Sequence, residues 1–450
     1  MKNIHKNNIH LEPPRGLLND PNGLSYFRGK YHVFHQWNRF ECSHSYKEWG
    51  LFTSENLIDW IHEGSAILPD SNKDRHGVYS GSAIVVHDKL RIFYTGNTKY
   101  GGIRKSYQCL ASSDDGKTYL KFNSIDTPKE LTEHHRDPKV YFYDNVWNMI
   151  VGSQTRDGIG AIALYTSSNL QDWKYENLLY EDKELDQMCE CPDILDFEQQ
   201  QVLLVCPQKR DLEQDRDISS YSGYYIGQLR ERYFIPQSEL LLLDEGFDFY
   251  APQTFKDPKG RYLMWAWMSR MTEAEELICP TRRFNYIHCL TMPREVTLEH
   301  GVLYQRPLEE ILERRKKVEF EYISSSETIF TQSDETLLLE INFKDKINLF
   351  QLNLAEEVEI YYYDGTLYLK RRSWVNNRWQ EKKKKLYKLN SLQIFLDQSA
   401  LEIFINDGEI VMSLRYFPKT MYKKHRFTCD SEHYAVLSNI NLREDRRKNG

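Results

Sequence analysis

Ser54-Glu55-Asn56-Leu57-Ile58-Asp59-Trp60 returns as Ser167-Ser168-Asn169-Leu170-Gln171-Asp172-Trp173. Between the two stands Ser112-Ser113-Asp114-Asp115-Gly116-Lys117-Thr118-Tyr119. All three read as turns: Ser, Asn and Asp side chains bond their own backbone, and an aromatic residue closes each segment. Their neighbours are short β-branched and aromatic runs, among them Tyr31–Phe34, Ala83–Val86, Leu90–Tyr94, Ile162–Tyr165, Val202–Val205 and Tyr262–Trp267. Similar turns recurring between short strands imply equivalent hairpins in a repeat array. At about 40–60 residues per repeat there is room for about five before the pattern changes. The prediction is an all-β fold with a five-bladed β-propeller over residues 1–306.

The middle turn resembles the Asp box, a hairpin turn found in propellers. Beyond residue 306 the character changes. Pro307-Leu308-Glu309-Glu310-Ile311-Leu312-Glu313-Arg314-Arg315-Lys316-Lys317 is charged, with leucines at helical spacing, and predicts a linker helix over 307–318. Leu392–Leu396, Leu401–Ile405 and Glu409–Leu414 then alternate as strands, and Asp364-Gly365 and Asp407-Gly408 read as hairpin turns. These predict a C-terminal β-sandwich over 319–450. Arg443–Gly450 reads as a frayed tail.

A chain of 450 residues exceeds one ordinary core, in agreement with two domains. The net charge of −7 argues against a dedicated nucleic-acid or anionic-membrane surface. Basic residues interleaved with tryptophan at Arg371, Arg372, Trp374, Arg378, Trp379 and Lys382–Lys385 could stack on a single strand. On a long hairpin of an acidic protein they read instead as a solvated strand face. The eight cysteines have no scaffold spacing, so free thiols are expected. Met1–Leu11 is polar, without the apolar core of a secretory signal, and no stretch approaches the roughly 20 apolar residues of a membrane helix. The expectation is a cytoplasmic protein with neither nucleic acid nor membrane as partner.

Three acids stand in distinctive surroundings. Asn19-Asp20-Pro21-Asn22-Gly23 reads as a tight turn, followed by a strand ending Phe34-His35-Gln36-Trp37-Asn38. In His134-His135-Arg136-Asp137-Pro138-Lys139-Val140, strand alternation turns Arg136 and Asp137 to opposite sides, each needing its own partner. In Cys189-Glu190-Cys191-Pro192-Asp193 the cysteines lack a second pair at zinc spacing, so no metal site is expected. Alternation puts both cysteines in the core and Glu190 on the opposite face. Innermost strands of different blades can bring such residues to one axis. Two carboxyls flanking a glycosidic bond are what glycoside hydrolysis requires.

With Tyr79-Ser80-Gly81-Ser82-Ala83, Phe247-Asp248-Phe249-Tyr250-Ala251-Pro252-Gln253, His288-Cys289-Leu290-Thr291-Met292-Pro293-Arg294-Glu295 and Leu401–Glu409, these segments resemble glycoside hydrolase family 32 over nearly the whole chain. That family comprises invertases, fructanases and sucrose-6-phosphate hydrolases, and the intracellular bacterial sucrose-6-phosphate hydrolase type fits best. The resemblance implies a retaining β-fructofuranosidase acting on sucrose or its 6-phosphate, without metal or organic cofactor. It implies Asp20 as nucleophile, Glu190 as general acid/base and Asp137 as transition-state stabiliser. It also implies a fructosyl subsite lined by Asn19, Gln36, Trp49, Tyr79, Ser80 and Arg136, with Asp248 nearby. The chain departs from the family with His35 where Tyr is common, Arg39 where Pro is common, and no Trp near Tyr286. These departures are expected at the pocket rim and leave the leaving group open. A phosphate there would need basic residues such as Arg39, Lys47, Arg270, Arg282 or Arg283. Fructo-oligosaccharides remain as competing substrates. A non-catalytic sugar-binding propeller protein is the reading from another class, and the three acids count against it. Monomer and homodimer both remain open.

Overall fold

A computed structural model describes residues 2–211, 216–318, 327–344 and 347–440. The chain is all-β, and no described helix is long and apolar enough to cross a membrane. It forms two compact units: Gly16–Leu243 with Tyr250–Trp267, and Met1–Arg15 with Asp244–Phe249 and Met268–Gly450. The split at residue 306 expected from composition is therefore not how the contacts partition. Residues 1–15, 244–249 and 268–306 group with the C-terminal residues.

The first unit is a series of antiparallel sheets. Strands β1 (Gly16–Phe27), β2 (Lys30–Asn38), β3 (Glu48–Ser54) and β4 (Ile61–Ile67) pair in chain order. So do β5 (Val78–Val86), β6 (Lys89–Tyr100), β7 (Ile103–Ser113) and β8 (Leu120–Asp126), and β9 (Leu131–Tyr143), β10 (Val146–Thr155), β11 (Gly160–Ser167) and β12 (Lys174–Glu181). Next, β13 (Met188–Asp196) pairs with β14 (Gln201–Asp211), which also takes β15 (Arg216–Ser219) and β16 (Gly223–Arg230). Beyond β16 lie β17 (Tyr233–Pro236) and β18 (Leu241–Leu242). A hairpin of β19 (Tyr250–Lys256) and β20 (Tyr262–Trp267) follows. The leading strands β1, β5, β9, β13 and β19 pack in a closed ring, with β19 returning to β1.

The recurring turns are equivalent: each joins the third strand of a sheet to the fourth. Asn56 Oδ1 accepts the N–H of Ile58 and Asp59, Asp115 Oδ1 those of Lys117 and Thr118, and Asn169 Oδ1 those of Gln171 and Asp172. Leu57, Gly116 and Leu170 take the same left-handed conformation, at φ 64°, 73° and 62°. The sequence repeat is thus a repeat of local hydrogen bonding, independent of what packs around it.

The five ring strands share a second feature. Each is bulged, with one residue more than its partner strand between flanking pairs. Leu18↔Trp37 is followed by Pro21↔His35, Val78↔Gly96 by Gly81↔Tyr94, and Arg136↔Gly152 by Lys139↔Ile150. Glu190↔Cys206 is followed by Asp193↔Leu204, and Tyr250↔Trp267 by Gln253↔Trp265. The Asp20-Pro21-Asn22-Gly23 turn expected from sequence is therefore corrected: these residues lie inside β1, at its bulges. The physical reason is that a bulge tolerates the same residues as a turn. Proline lacks a ladder donor, and is accepted in a strand where the ladder is already interrupted. Pro138, Pro192 and Pro252 lie inside three of the bulges, and Pro21 and Gly81 stand at the pairs that follow the other two. The residue after this Pro or Gly bolts neighbouring ring strands together in four cases. Asn22 Oδ1 accepts Gly81 N–H (3.1 Å), and Ser82 Oγ donates to Pro138 O (2.8 Å). Lys139 Nζ reaches Asp193 (2.9 Å), and Asp193 Oδ2 accepts Thr254 N–H (2.7 Å).

The second unit contains a β-sandwich. One sheet runs Arg315–Val318, His433–Ile440, Thr336–Phe343, Ser391–Leu396, Ala400–Ile405, Ile410–Arg415. The other runs Thr328–Gln332, Lys423–Cys429, Leu349–Leu354, Val358–Tyr363, Thr366–Arg372, Trp379–Lys385. Leu339, Ile394 and Ile403 of the first meet Leu352, Ile360 and Phe427 of the second in one apolar core. The linker helix expected over 307–318 is corrected: helix spans only Glu309–Leu312, and Arg315–Val318 is an edge strand paired with His433–Ile440. One turn cannot repay helix nucleation, whereas an edge strand gains ladder bonds. The expected frayed tail at 443–450 lies outside the described residues. Arg371, read from sequence as part of a solvated basic face, is buried and ion-paired with Asp248. Lys384, from the same basic run, pairs with Glu245.

A buried ionic network also belongs to this unit. His10 Nδ1 meets Asp397 (2.9 Å), its Nε2 meets Glu402 (3.0 Å), and Glu402 also pairs with Arg294 (2.6 Å). Burial opposes charge on His10, but its bonds to the two carboxylates outweigh it and lift the pKa to about 9.

Candidate active site

Aligned on their Pro or Gly, the two residues preceding it, at or beside each bulge, read Asn19-Asp20, Tyr79-Ser80, Arg136-Asp137, Glu190-Cys191 and Tyr250-Ala251. These pairs hold most of the residues singled out from sequence. A regular strand would send each pair to opposite faces. The bulge breaks that alternation, so both members can serve one site. Arg136 and Asp137, expected to face apart, are thus corrected into a single cluster. Arg136 holds Glu190 Oε1 through Nε (3.0 Å) and Nη2 (2.8 Å). Asp137 Oδ2 accepts Cys191 N–H (3.0 Å). Backbone geometry bears the distortion: Asp137, Cys191 and Ala251 sit at φ 68°, 44° and 51°.

Asp20 is held from two sides. Ser80 Oγ donates to its Oδ2 (2.5 Å) and Asn19 Nδ2 to its Oδ1 (3.2 Å). Asn19 Nδ2 also donates to Gln36 Oε1 (2.6 Å), and Gln36 Nε2 to Ser80 Oγ (2.7 Å). Gln36 lies across the ladder from the Asn19-Asp20 bulge, which explains the reach. Burial raises the Asp20 carboxyl and the Glu190 charge adds to this, while the Ser80 hydroxyl and Lys47 ammonium pull it back. Asp137 is pushed up to about 7 by burial, with Arg136 opposing and the charges of Glu190 and Asp20 adding to the rise.

Cys191 corrects another expectation. Cys189 packs in the apolar core, but Cys191 does not follow it. Its Sγ lies 3.4 Å from Asp137 Oδ2 and 4.0 Å from Asp20 Oδ2, because the bulge turns it inward. Burial and the two aspartates push its thiol well up, so it donates as a neutral S–H.

Other sites were misjudged by position. Trp49 is wholly buried against Phe34 and Tyr94, and its indole N–H holds Tyr79 O (2.9 Å). It supports the Tyr79-Ser80 bulge from behind rather than offering a face to the pocket. His35, placed at the rim, is buried beside Phe52 and His62. Asp248 folds with the second unit, where Arg371 and the Arg415 N–H (2.8 Å) take its Oδ2. Of the basic residues considered for a phosphate, Arg39 is engaged by Ser65 (2.6 Å) and Glu48 (3.4 Å). Lys47 is buried and donates to Asn19.

Two contacts were missed from sequence. Tyr250 Oη donates to Glu190 Oε2 (2.8 Å), and Gln208 Oε1 accepts Arg136 Nη2 (2.8 Å). Tyr250 was legible, since Ala251-Pro252 repeats the pattern of Asp20-Pro21 and Asp137-Pro138. Gln208, on the neighbouring strand β14, carries no such signal. The assembled site offers two carboxylates braced by different donors, a third in a buried pocket, and one guanidinium. It can supply a nucleophile, a proton donor and an anion against a developing positive charge.

Residues 10–307 match the glycosyl hydrolases family 32 N-terminal domain, and residues 308–444 match the family 32 C-terminal domain. The sucrose-6-phosphate hydrolase of Bacillus subtilis is 36% identical over 428 residues, covering 92% of this chain and 89% of that protein. The structure of sucrose-6-phosphate hydrolase from Lactobacillus gasseri superposes with a TM-score of 0.84 at 30% identity, covering 98% of this chain and 94% of that one. A mutant family 32 β-fructofuranosidase of Bombyx mori, in complex with sucrose, gives a TM-score of 0.83 at 26% identity, over 97% and 94% of the two chains. With matches spanning both halves of the sequence, the chain belongs to glycosyl hydrolase family 32.

Proposed function

We propose that the chain is a retaining β-fructofuranosidase that hydrolyses the fructosyl bond of sucrose 6-phosphate and of sucrose, in sucrose catabolism. The observation that carries this reading is the convergence of Asp20, Asp137 and Glu190 from three ring strands onto one cluster, each braced by different donors. The ring of β1, β5, β9, β13 and β19 supports a propeller of five blades, and the two sheets of the second unit supply the sandwich.

In this reading Asp20 attacks the anomeric carbon of the fructosyl ring. The carbon–oxygen bond to glucose breaks, and protonated Glu190 gives its proton to the departing oxygen. The product is a fructosyl ester of Asp20. Glu190, now ionised, takes a proton from water, whose oxygen displaces Asp20 and releases fructose. Two displacements at the anomeric carbon restore the starting configuration. Asp137 stabilises the positive charge that develops on the ring. Arg136 and Tyr250 hold Glu190 through opposite oxygens, which aims the carboxyl. Sucrose 6-phosphate as substrate favours a cytoplasmic location, since phosphorylated sucrose exists inside cells. Its support is the similarity to sucrose-6-phosphate hydrolases along nearly the full chain.

Asp20→Ala and Glu190→Ala should each fold and lose sucrose hydrolysis by orders of magnitude. Near-full activity in either ends the assignment. NMR of the first product should show retained fructose. The ratio of kcat/KM for sucrose 6-phosphate over sucrose tests the leaving group, and a ratio near one removes the phosphate preference.

A further inference from the structure

Lys47 stands at the far end of a hydrogen-bond chain that terminates on Asp20. It precedes Glu48 at the start of β3 and is buried, at 8% exposure. Its Nζ donates to Asn19 Oδ1 and to His44 Nδ1 (3.0 Å). An ammonium can only donate. It therefore fixes the Asn19 amide with its oxygen toward Lys47 and its NH2 toward Gln36 Oε1 (2.6 Å) and Asp20 Oδ1 (3.2 Å). Gln36, its oxygen so occupied, turns its NH2 to Ser80 Oγ (2.7 Å). The hydroxyl then has its proton left for Asp20 Oδ2 (2.5 Å). Every orientation follows from the one before. With Lys47 removed, the Asn19 oxygen loses its charged donor, and the acceptor-only carboxylate of Asp20 is left to order the two amides from the other end of the chain.

We propose that Lys47 is a positioning residue for hydrolysis: through Asn19, Gln36 and Ser80 it directs a hydroxyl proton onto the nucleophilic oxygen of Asp20. The inference rests on the reading of Asp20 as nucleophile. It also removes Lys47 from the candidates for a phosphate subsite, because its ammonium is used within the unit. The chain orients Asp20 in a buried place, and its donors oppose the rise that burial gives the carboxyl. Around Asp20 stand the charge of Glu190 and the Cys191 Sγ at 4.0 Å from β13, the charge of Asp137 from β9, and Lys47 with His44 beyond the amides. Lys47 is the positive charge on Asp20's own side of this cluster, and its field opposes protonation of the carboxyl.

The test is the pH dependence of kcat and kcat/KM for sucrose in the full-length parent, Lys47→Met and Lys47→Arg enzymes. Losing a charge-assisted bond at the head of the chain should lower kcat by about 10- to 100-fold, with a smaller change in KM. The acid limb of kcat/KM should move to higher pH, because Asp20 loses both an oriented donor and a countercharge. Lys47→Arg keeps the charge and donor character, and should recover part of the rate and return the acid limb toward the parent. A purely structural lysine would lower the amount of active enzyme without moving that limb. Lys47→Met activity within twofold of the parent overturns the inference, as does a rate loss with an unmoved acid limb. Should Lys47→Met not fold, Lys47→Gln is measured against the same two outcomes. Asp20→Asn separates the two levels. If it is inactive while Lys47→Met behaves as the parent, only the role of Lys47 fails. If Asp20→Asn is active, the assignment of the nucleophile fails first.

Discussion

Replacing Asp137 by Asn should stabilise the protein while removing its activity. Asp137 is almost fully buried, and its pKa rises from an ordinary 3.8 to about 7. In the unfolded chain the same group ionises near pH 4. Below about pH 4 both states hold the proton, and the group contributes no penalty. Between about pH 4 and 7 the folded state binds more protons than the unfolded one, so stability falls as pH rises. Above about pH 7 the penalty is complete. At about 1.4 kcal/mol per pH unit it amounts to roughly 4 kcal/mol. The charges of Arg136, Glu190 and Asp20 act on Asp137 and offset part of this once its own charge is removed, so a net gain of about 2–3 kcal/mol is expected. Asn retains an oxygen for the Cys191 N–H now bonded at 3.0 Å, which limits the loss of contacts. Thermal and urea unfolding of the parent and Asp137→Asn proteins at pH 5 and pH 8 would measure it. The variant should be more stable at pH 8, and the difference should shrink by at least half at pH 5. Sucrose hydrolysis should fall at least 100-fold, about what the loss of one charge aimed at the transition state costs. A variant no more stable than the parent at pH 8, or one whose advantage is the same at both pH values, would refute the reasoning.

Tyr250→Phe removes the 2.8 Å donor to Glu190 Oε2. It should lower kcat/KM for sucrose about 10-fold, the cost of one hydrogen bond to a charged group, with little change in Tm. Parent-like kinetics would show that Arg136 alone aims Glu190. His10→Gln tests the buried network of the second unit. With a folded pKa lifted to about 9, His10 contributes stability that is complete below about pH 6.5 and is lost as pH rises through about 9. The variant should lose about 3 kcal/mol more stability at pH 6 than at pH 9.5. An equal loss at both would mean that His10 is not charged in the fold.

Much of this protein was legible in its sequence. The Ser54–Trp60, Ser112–Tyr119 and Ser167–Trp173 segments form the same turn wherever they occur, because Asn56, Asp115 and Asn169 bond backbone groups two and three residues away. Bonds so local need no partner from elsewhere, so their repetition announces a repeated sheet. The family motifs likewise picked out Asp20, Asp137 and Glu190. Periodicity misled where the strands depart from regularity. Alternation separates Arg136 from Asp137 and buries Cys191 with Cys189, and both inferences failed at the same device. One extra residue in each ring strand cancels a rule that depends on a period of two. The recurring Pro after Asp20, Asp137, Cys191 and Ala251 marks these bulges in the sequence, though single positions resemble turns.

Burial and partnership were decided by the tertiary structure alone. Trp49, Lys47 and Asp248 are residues of kinds that ordinarily line sugar sites. The indole supports a bulge, the ammonium heads a chain of amides, and the carboxylate belongs with Arg371 in the other unit. Each assignment depends on contacts between segments distant along the chain, for which sequence spacing carries no signal. The repeated turns, bonded within themselves, determined what kind of sheet array this chain makes. Only the closed ring of five bulged strands decided which side chains meet at its acids.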